Sequence, residues 1–495
     1  MLCSRPLIDA VLCQNSANFE DHDNKPAGNH GKSVFMKKIL PLFLLLFAFA
    51  ACRKDSFITS GDARVTVTTD SLKYDTVFTR VGSVTKSFKI INDNDRRLRL
   101  NSVKLMGGNS SAFKMNVDGT SAPEVNSIEI NANDSIYVFV QVNVDPAAGG
   151  LPFIISDSIQ IDYNGNTRKV QLQAWGQNAH FLRGHEITAD ETWNNDLPYV
   201  ILDYLYVAEN IKLKMNKGCR VYMHANAPVI IDGTLEAIGD KDTADRIKFQ
   251  GDRLDLPYRD YPASWPGIYF RETSRDNIVQ YAFIRHAYQA IVVQGTSLSA
   301  QPKLRLYESV IDNAYDIGLA GSGSSIEARN CLLSNCGRNV VLTGGGTYRF
   351  THCTAVSISN NYVPHKEPVL SITNNTQTGA AALDASFTNC IFWGEGGLVE
   401  NEVLINRNAA AAFTVNFDHG LWKLATALQG VTATSMLTAQ EPGFETINSQ
   451  ERYYDFRLKE GATGLEAGRA TSVNIDLDGK TRPVGLPDLG CFERR

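Results

Sequence analysis

The chain has 495 residues, of which 43% are hydrophobic and 20% are charged, and its formal net charge is −5. This balance is typical of a soluble protein with room for two or three domains. Because Lys and Arg residues never form more than single pairs, the sequence argues against a nucleic-acid partner.

The strongest local signal runs from Met36 to Cys52. Two lysines precede an apolar run over 39–51, which is too short to span a bilayer and ends in small residues, as in an export signal. A phenylalanine and two alanines directly before Cys52 resemble the lipobox of bacterial lipoproteins, with Phe in place of the usual Leu. The resemblance implies that the signal peptide 36–51 is removed and that Cys52 receives a diacylglyceryl group. The alternative is a plain signal peptide with an accidental cysteine.

Residues 1–35 precede this signal and show no periodicity. An export signal belongs at the start of a chain, so we expect Met36 to be the true start, with an unusually long leader as the alternative. Residues 52–62 are polar and unpatterned and are predicted to be a tether. Together these features predict an outer-membrane lipoprotein of the cell envelope, anchored in the membrane by its lipid, on either the periplasmic or the external side.

The region 63–179 contains short segments that alternate polar and apolar residues and are rich in β-branched types, which is typical of half-buried strands. Asn164-Gly165 favours a tight hairpin turn between two of them. About seven such strands in this length predict an immunoglobulin-like sandwich.

The order of these segments resembles the sandwich domains grouped with the ASPM/SPD-2/hydin and choice-of-anchor repeats. The resemblance rests on Val81-Gly-Ser-Val, Phe88-Lys-Ile-Ile, Val144-Asp-Pro and Val170-Gln-Leu-Gln-Ala, taken in that order. It implies a spacer or a protein-contact module without chemistry of its own.

A second β region, 180–445, repeats one short phrase five times. Repeats of short strands are typical of a solenoid, and the alternation within each phrase indicates inward residues that stack from coil to coil. We therefore predict an all-β protein whose largest part is a right-handed parallel β-helix. The phrases begin at Val279, Leu306, Ala328, Phe350 and Phe387.

The fourth position of each phrase holds a small residue: Ala282, Ser309, Cys331, Cys353 and Cys390. The three cysteines are expected to be free, buried thiols, because strand neighbours in a stack have poor geometry for the dihedral angle of a disulfide. No Cys-x-x-Cys or Cys/His spacing is present, so no metal site is predicted. Asp476-Leu-Asp-Gly alone suggests a calcium loop, but further ligands are missing. We expect no cofactor, with Ca²⁺ as the alternative.

Both ends of the second region resemble known proteins. Gly233-Thr-Leu-Glu-Ala and Trp265-Pro-Gly-Ile match phrases in the first coils of cell-surface β-helix proteins. The segment 446–495, with Asp476-Leu-Asp-Gly and Asp488-Leu-Gly-Cys-Phe-Glu, resembles the end of choice-of-anchor Q proteins. That resemblance implies a C-terminal segment that ends the β-helix. Where the pattern loosens, we predict a short helix over 421–428.

Parallel β-helices are often polysaccharide lyases or glycoside hydrolases, which need clustered or paired carboxylates. The candidates here are Arg285, His286, Asp312 and Asp316. Arg285 and Asp312 occupy the same position of successive coils, and His286 aligns with Asn313. In the catalytic hypothesis Asp312 is the base and Arg285 its electrostatic partner. The structural interpretation, which the sequence favours, is a cross-coil ion pair beside an asparagine ladder.

Two segments interrupt the coils and are better placed to contact a partner. Aromatic rings beside charged groups suit stacking and hydrogen bonding to sugars, and the alternative is that the rings fold back on the coil. Trp265 is predicted to be structural, and the second segment, 359–368, is the weaker candidate. The first segment, 251–265, contains the candidate binding residues Arg253, Tyr258, Arg259 and Tyr261.

The sequence thus predicts a lipid-anchored, non-catalytic scaffold whose loops bind a polysaccharide or a surface protein. A carbohydrate-active enzyme, either a polysaccharide lyase or a glycoside hydrolase, is the alternative. A concave cleft with convergent carboxylates favours the enzyme, whereas a smooth flank covered by ladders favours the scaffold.

Overall fold

The computed structural model describes residues 56–78, 85–143, 153–255, 257–483 and 485–494. Within these residues, every helix is too short or too polar to cross a membrane. The predicted leader 1–35, the signal peptide 36–51 and the lipidation site Cys52 lie outside the described residues, and so do the motif residues 81–84 and 144–146. The helical residues comprise two single 3-10 turns, Gly108–Ser110 and Tyr258–Asp260.

After the short β1 (Phe57–Ile58), ten strands form two sheets around one hydrophobic core. One sheet has the order β5-β10-β11-β3 with β8 beside β5, and the other has the order β2-β4-β9-β6-β7. These strands are β2 Val65–Val67, β3 Ser71–Phe78, β4 Lys86–Asn92, β5 Arg97–Leu105, β6 Phe113–Val117, β7 Thr120–Ser121, β8 Glu124–Ile130, β9 Ser135–Val142, β10 Phe153–Tyr163 and β11 Asn166–Gln177.

The sequence pattern explains this two-sheet core. Every second residue of β9 is buried, because successive side chains of a strand point to opposite faces. The predicted hairpin joins β10 to β11, where Tyr163 pairs with Asn166. Asn164 and Gly165 have φ angles of 46° and 81°, which is the backbone that an Asn-Gly turn requires. The assignment to the immunoglobulin-like class stays a prediction.

The next 23 strands form one sheet in which the paired strands run parallel. Strands pair three positions apart, as β14 with β17, β17 with β20 and β20 with β23, so three strands complete one coil of a solenoid. The long strands β26, β28, β31 and β33 pass through two sides of their coils. The right-handed sense of the coil stays a prediction.

The solenoid strands follow one another with short turns. They are β12 His180–Ile187, β13 Glu191–Trp193, β14 Tyr199–Val207, β15 Lys212–Met215, β16 Arg220–Met223, β17 Val229–Ile231, β18 Thr234–Ile238, β19 Ile247–Gly251, β20 Ile268–Phe270, β21 Asn277–Gln280, β22 Ala282–Arg285, β23 Gln289–Gln294, β24 Leu304–Tyr307, β25 Val310–Asp312, β26 Ile317–Arg329, β27 Leu332–Ser334, β28 Arg338–Thr351, β29 Thr354–Ile358, β30 Leu370–Thr373, β31 Leu383–Glu395, β32 Val403–Asn406, β33 Phe413–Trp422 and β34 Thr432–Thr438.

The five predicted phrases lie in register, one above another. Val279 pairs with Leu306, and the column continues through Ala328 and Phe350 to Phe387. The sequence missed a sixth member, Phe417, which pairs with Phe387 and stacks on it with ring centroids 4.9 Å apart. The column is buried, which confirms the predicted inward stack.

The turns between coils also form columns. Glu308, Asn330, His352 and Asn389 are buried and have φ angles between 42° and 55°. Asn and His tolerate this left-handed conformation better than most residues. Their side chains bond from coil to coil: Asn330 Nδ2 donates to Glu308 Oε1 at 3.0 Å, and Asn389 Nδ2 donates to His352 Nε2 at 2.9 Å. This confirms the ladder interpretation of the polar columns.

The C-terminal segment packs on the outside of the solenoid. It begins with an antiparallel hairpin of β35 (Phe444–Asn448) and β36 (Tyr453–Leu458). Phe456, Leu477 and Leu489 share a core with outward apolar side chains of the solenoid. The solenoid residues in this core include Val310, Leu332, Val356, Ile391 and Leu421.

The predicted helix over 421–428 is wrong. Strand β33 continues to Trp422, and residues 423–428 are not helical. The chain stays bound to the preceding coil, because Lys423 N donates to Phe392 O at 3.1 Å and Ala425 N donates to Glu400 O at 3.2 Å. The second bond uses the N–H of Ala425, which a helix over 421–428 would need for its own first turn.

Candidate functional site

A cleft of about 350 Å³ opens where the C-terminal hairpin meets the outer side of the solenoid. This volume lies within the range of small-ligand sites. Four parts of the chain line it: the strands of neighbouring coils, each of the two segments that interrupt the coils, and the hairpin. The lining residues are Asp260, Arg285, His286, Val310, Asp312, Asn313, Leu332, Ser334, Asn335, Asn360, Glu451, Arg452, Tyr453, Tyr454 and Phe456.

Strand alternation places the cleft at this point. On β25, Val310 points outward and is covered by the C-terminal core, while Ile311 points into the solenoid. The next outward residue is Asp312, which cannot enter an apolar contact without losing hydration. Arg285 and Ser334 are in register with Asp312 on the coils either side. The apolar contact with the C-terminal core therefore ends at this position of the strands, and a row of polar side chains follows it.

Asp312 is half-buried and is held by the next coil. Ser334 Oγ donates to Asp312 Oδ1 at 2.6 Å, and Asn335 Nδ2 approaches the same oxygen at 3.5 Å. Among the described residues, Oδ2 of Asp312 has no hydrogen-bond partner. One oxygen thus fixes the carboxylate, and the other remains an acceptor for a ligand.

Tyr454 lies opposite on the hairpin. Burial and then the negative charge of Asp312 raise the pKa of Tyr454, while Asn360 lowers it. Its Oη is buried and has no hydrogen-bond partner of ordinary geometry in the described structure. Tyr454 is therefore a neutral hydroxyl near neutral pH, with an unmet capacity to bond.

His286 is a neutral imidazole in this cleft. Burial lowers the pKa of His286, as does Arg285, while Asp312 raises it. Asn313 Nδ2 donates to His286 Nδ1 at 2.8 Å, so the network assigns the proton to Nε2. His286 and Asn313 both adopt positive φ angles, 61° and 57°, as the predicted ladder requires.

Arg285 does not behave as the sequence suggested. In the part of the chain that the structure describes, it makes no ion pair with Asp312, although the two are in register. Its guanidinium lies over the Phe283 ring at 4.5 Å, and its Nε is buried without a hydrogen-bond partner. Its carbonyl accepts a bond of 2.8 Å from Nε1 of Trp265, which is fully buried and structural.

The two interrupting segments meet at the rim of the cleft. The Tyr261 and Tyr362 rings lie 5.1 Å apart, and Arg452 from the hairpin covers Tyr362 at 4.4 Å. Arg452 Nη2 also bonds Oδ2 of Asp260 at 3.1 Å. Asp260 and Asn360 thereby reach the cleft wall.

The four predicted binding residues lie beside the cleft and not in its lining. Arg253 covers the Tyr258 ring at 4.0 Å and pairs with Asp255 at 3.0 Å. The Tyr258 and Tyr261 rings meet edge to face at 5.3 Å, and Arg259 lies 3.4 Å from Asp260. These rings fold against one another and help to position Asp260.

Asp316 lies apart from the other three catalytic candidates. It is not in the cleft lining, and it bonds Arg338 and Gln289 on the far side of the turn. The sequence missed Glu451, Arg452 and Tyr454, which join Asp312 and Asp260 from a distant part of the chain. The only local signal was the density of charged and aromatic residues around 251–261 and 451–456.

Metal ligands do not converge among the described residues, where no group of three or more His, Cys, Asp or Glu side chains is placed to hold an ion. The carboxylate of Asp476 is used inside its own turn: Oδ1 accepts from the backbone N–H of Asp478 and Lys480, and Oδ2 accepts from Glu493 N. This geometry is that of a turn-capping residue.

The fold and site define an all-β protein with a large parallel solenoid and a polar cleft between the coils and the C-terminal segment that covers them. No family and no curated protein matches the chain. A protein of unknown function from Porphyromonas gingivalis W83 is 20% identical over 26% of this chain and 50% of that chain, with a TM-score of 0.18. This chain thus spans half the length of that protein.

Two solved glycoside hydrolases also show a likeness. The catalytic unit of a thermostable GH87 α-1,3-glucanase from Streptomyces thermodiastaticus strain HF3-3 is 12% identical over 74% of this chain and 91% of that chain, with a TM-score of 0.24. A family 123 glycoside hydrolase from Clostridium perfringens is 9% identical over 27% of this chain and 30% of that chain, with a TM-score of 0.19. Scores this low carry no argument about fold or function.

Proposed function

We propose that the cleft binds a carbohydrate and that the chain is a glycan-binding solenoid. The observation that carries this proposal is the convergence of hydrogen-bonding side chains from four segments on one cleft of about 350 Å³. The free Oδ2 of Asp312 accepts from a sugar hydroxyl. Tyr453, which is 61% exposed, supplies an aromatic ring for a sugar face.

The charges of the cleft favour a neutral glycan. Three carboxylates, Asp260, Asp312 and Glu451, face two arginines, Arg285 and Arg452, and His286 is neutral. An excess of negative charge repels a uronic-acid polymer or a nucleic acid, because like charges in a partly dry cleft destabilise each other. A neutral polyhydroxyl ligand uses donors and acceptors of both kinds without that penalty.

Unsatisfied polar atoms also support a ligand. Arg285 Nε is buried in the cleft wall without a partner, and Tyr454 Oη is buried there with a contact to Asn360 but no hydrogen bond of ordinary geometry. Buried polar groups are normally hydrogen-bonded, so a site that leaves two of them open is one where water or a ligand completes the network.

A glycoside hydrolase is the second candidate, and the three convergent carboxylates favour it. Glycoside hydrolysis needs one carboxyl group as an acid and another as a base or nucleophile. Arg452 pairs with Asp260 at 3.1 Å, and Ser334 donates a hydrogen bond to Asp312. A lyase is less favoured, because its acidic substrate meets the negative cleft.

We further propose the wider setting that the sequence predicts. The chain is a lipoprotein of the outer membrane attached through Cys52. Its N-terminal two-sheet region is an immunoglobulin-like spacer, and its C-terminal segment is related to the ends of choice-of-anchor Q proteins. Metabolic labelling with palmitate tests the anchor, since the label must disappear in Cys52→Ala and an undiminished label refutes it.

The full chain, applied to a panel of neutral and acidic polysaccharides, tests the function. Retention on neutral polysaccharides and loss of retention in Asp312→Asn support the cleft. The control Asp384→Asn removes an exposed carboxylate of the solenoid that pairs with Arg349 outside the cleft. If the wild-type chain releases reducing sugar and Asp312→Asn does not, the result supports the second candidate, the glycoside hydrolase. Failure to retain any neutral polysaccharide overturns the proposal.

A further inference from the structure

Two exposed tyrosines stack on the far side of the turn that lines the cleft. Tyr288 and Tyr315 follow His286 and Asn313 by two residues on successive coils. Their ring centroids lie 5.8 Å apart with planes inclined by 24°. They are 44% and 52% exposed, which is unusual for stacked rings, because aromatic side chains normally bury most of their surface.

The stack ends where a third ring would lie. The corresponding residue of the next coil is Gly337, and a Cβ there would lie 2.4 Å from Tyr315 O and 2.7 Å from Asp316 O. Such contacts are too short for any side chain. The ring of Tyr315 is therefore left without a neighbour on that coil.

A row of hydrogen-bonding side chains borders the rings. Gln289 Nε2 donates to Asp316 Oδ2 at 2.8 Å, and Arg338 donates to Asp316 Oδ1. Gln289 and Arg338 are in register through Ile317 of the coil between them, and Asp316 directly precedes Ile317. The row keeps free donors on Arg338 and a free amide oxygen on Gln289.

We propose that Tyr288 and Tyr315, with the row of Gln289, Asp316 and Arg338, form a second carbohydrate surface that takes further units of the glycan bound in the cleft. This proposal rests on the proposed function and names the class of ligand as an oligosaccharide chain. Sugar rings present apolar faces and polar edges, which suit aromatic rings bordered by donors and acceptors.

The position of the surface supports one continuous ligand. Only one buried residue, Ala287 or Ala314, separates each cleft residue from its tyrosine. The two sites thus lie on either side of one turn, along the same coils. A chain that leaves the cleft over this turn meets the tyrosines next, and binding at both sites adds affinity because the second contact is intramolecular.

Chain-length dependence of affinity tests the proposal. Cello-, malto- and laminari-oligosaccharides, from disaccharide to heptasaccharide, are titrated calorimetrically into the wild-type full chain and into Tyr288→Ala/Tyr315→Ala. We expect wild-type affinity for one series to rise with length. The double variant binds the disaccharide as wild type does, and binds the heptasaccharide at least about tenfold more weakly.

A matched control comes from the N-terminal sheets. Tyr137 and Phe139 also stack, at 5.5 Å and 15°, and are 44% and 42% exposed, so Tyr137→Ala/Phe139→Ala must leave every affinity unchanged. Equal affinities of wild type and Tyr288→Ala/Tyr315→Ala at all lengths overturn the tyrosine surface, while the cleft stands. If the wild-type chain binds no member of the three series, the cleft and the tyrosine surface are both overturned.

Discussion

Ser334 Oγ donates a hydrogen bond of 2.6 Å to Oδ1 of Asp312 on the preceding coil. The bond exists because the two residues are in register on parallel strands, so the solenoid repeat itself orients the carboxylate. Oδ2 stays open toward the cleft. A site built in this way is preorganised, since rigid strands hold its central acceptor before a ligand arrives.

Tyr454→Phe separates stability from binding. The Tyr454 hydroxyl is buried without a hydrogen bond of ordinary geometry, and an unsatisfied buried hydroxyl costs about 1–3 kcal/mol. Its removal is therefore expected to leave the free energy of unfolding unchanged or to raise it by about 1 kcal/mol. Affinity for the glycan falls by about tenfold, because the ligand loses that hydroxyl.

Urea unfolding and calorimetric titration of the same Tyr454→Phe protein measure the two effects. A variant that loses stability and keeps full affinity contradicts this role of Tyr454.

His352→Asn is expected to reduce the loss of stability in acid. Burial, and then the charge of Arg482, lower the pKa of His352 to about 2. In the unfolded chain a histidine has a pKa of about 6.5. Below that pH the unfolded state therefore binds a proton at this histidine, whereas the folded state does not. Stability is thus fully present above about pH 6.5 and falls by up to about 1.4 kcal/mol per pH unit as the pH drops toward 2.

Asparagine fits the position, since Asn330 and Asn389 occupy the same column with φ angles of 49° and 55°. Free energies of unfolding of wild type and His352→Asn, compared at neutral and at mildly acid pH, measure the difference in slope. We expect the free energy of unfolding of the variant to depend less steeply on pH. The difference in slope corresponds to the uptake of about one proton fewer on unfolding. Parallel slopes would show that His352 does not carry the effect.

The buried pair of Arg482 and Glu493 anchors the C-terminal cover. Arg482 Nη1 bonds Glu493 Oε2 at 2.6 Å and Nη2 bonds Asn330 Oδ1 at 3.0 Å, with both charged side chains almost fully buried. Burial lowers the pKa of Arg482 and raises the pKa of Glu493, so each charge depends on its partner. Glu493→Gln is expected to cost about 3–5 kcal/mol, because it leaves the buried guanidinium uncompensated.

The double variant Arg482→Met/Glu493→Leu is expected to recover most of this loss, since two apolar side chains need no compensating charge. Thermal unfolding of wild type, Glu493→Gln and the double variant gives the comparison. A double variant that is less stable than Glu493→Gln would falsify the desolvation argument.

The column of small residues limits what the solenoid interior accepts. Cys353 lies between Cys331 and Cys390, and all three are free and buried. Cys353→Leu overfills this space and is expected to cost about 1–3 kcal/mol, while Cys353→Ala, which loses only the sulfur, costs about 1 kcal/mol. The urea concentrations at the midpoints of unfolding rank the stabilities of wild type, Cys353→Ala and Cys353→Leu. A leucine variant as stable as wild type would mean that the column is loosely packed.

The solenoid was predictable because its information is local and repeated. Each phrase contains its own inward residue, turn residue and small residue, and the register from Val279 to Phe387 follows from aligning them. The asparagine ladder was predictable for the same reason. The helix predicted over 421–428 failed because bonds to Phe392 and Glu400, supplied by the neighbouring coil, override the weak local pattern.

The cleft was only half predictable. Arg285, His286 and Asp312 come from the repeat, so the sequence placed them together. The opposite wall comes from the hairpin near Tyr454 and from Asp260, and no periodicity relates these segments to the coils. In the structure both faces of the strands are covered, with Ile311 and Leu333 in the solenoid core and Val310 and Leu332 in the outer core, and the covering segment depends on tertiary packing.

The most direct test of the account is the affinity of the full chain for a neutral oligosaccharide series, measured calorimetrically for wild type, Asp312→Asn and Asp384→Asn. A hydrogen bond from a ligand to a carboxylate contributes about 1.5–3 kcal/mol, so Asp312→Asn is expected to weaken binding by about 10- to 100-fold while Asp384→Asn leaves it unchanged. Equal affinities of wild type and Asp312→Asn would contradict the assignment of the cleft as the glycan site.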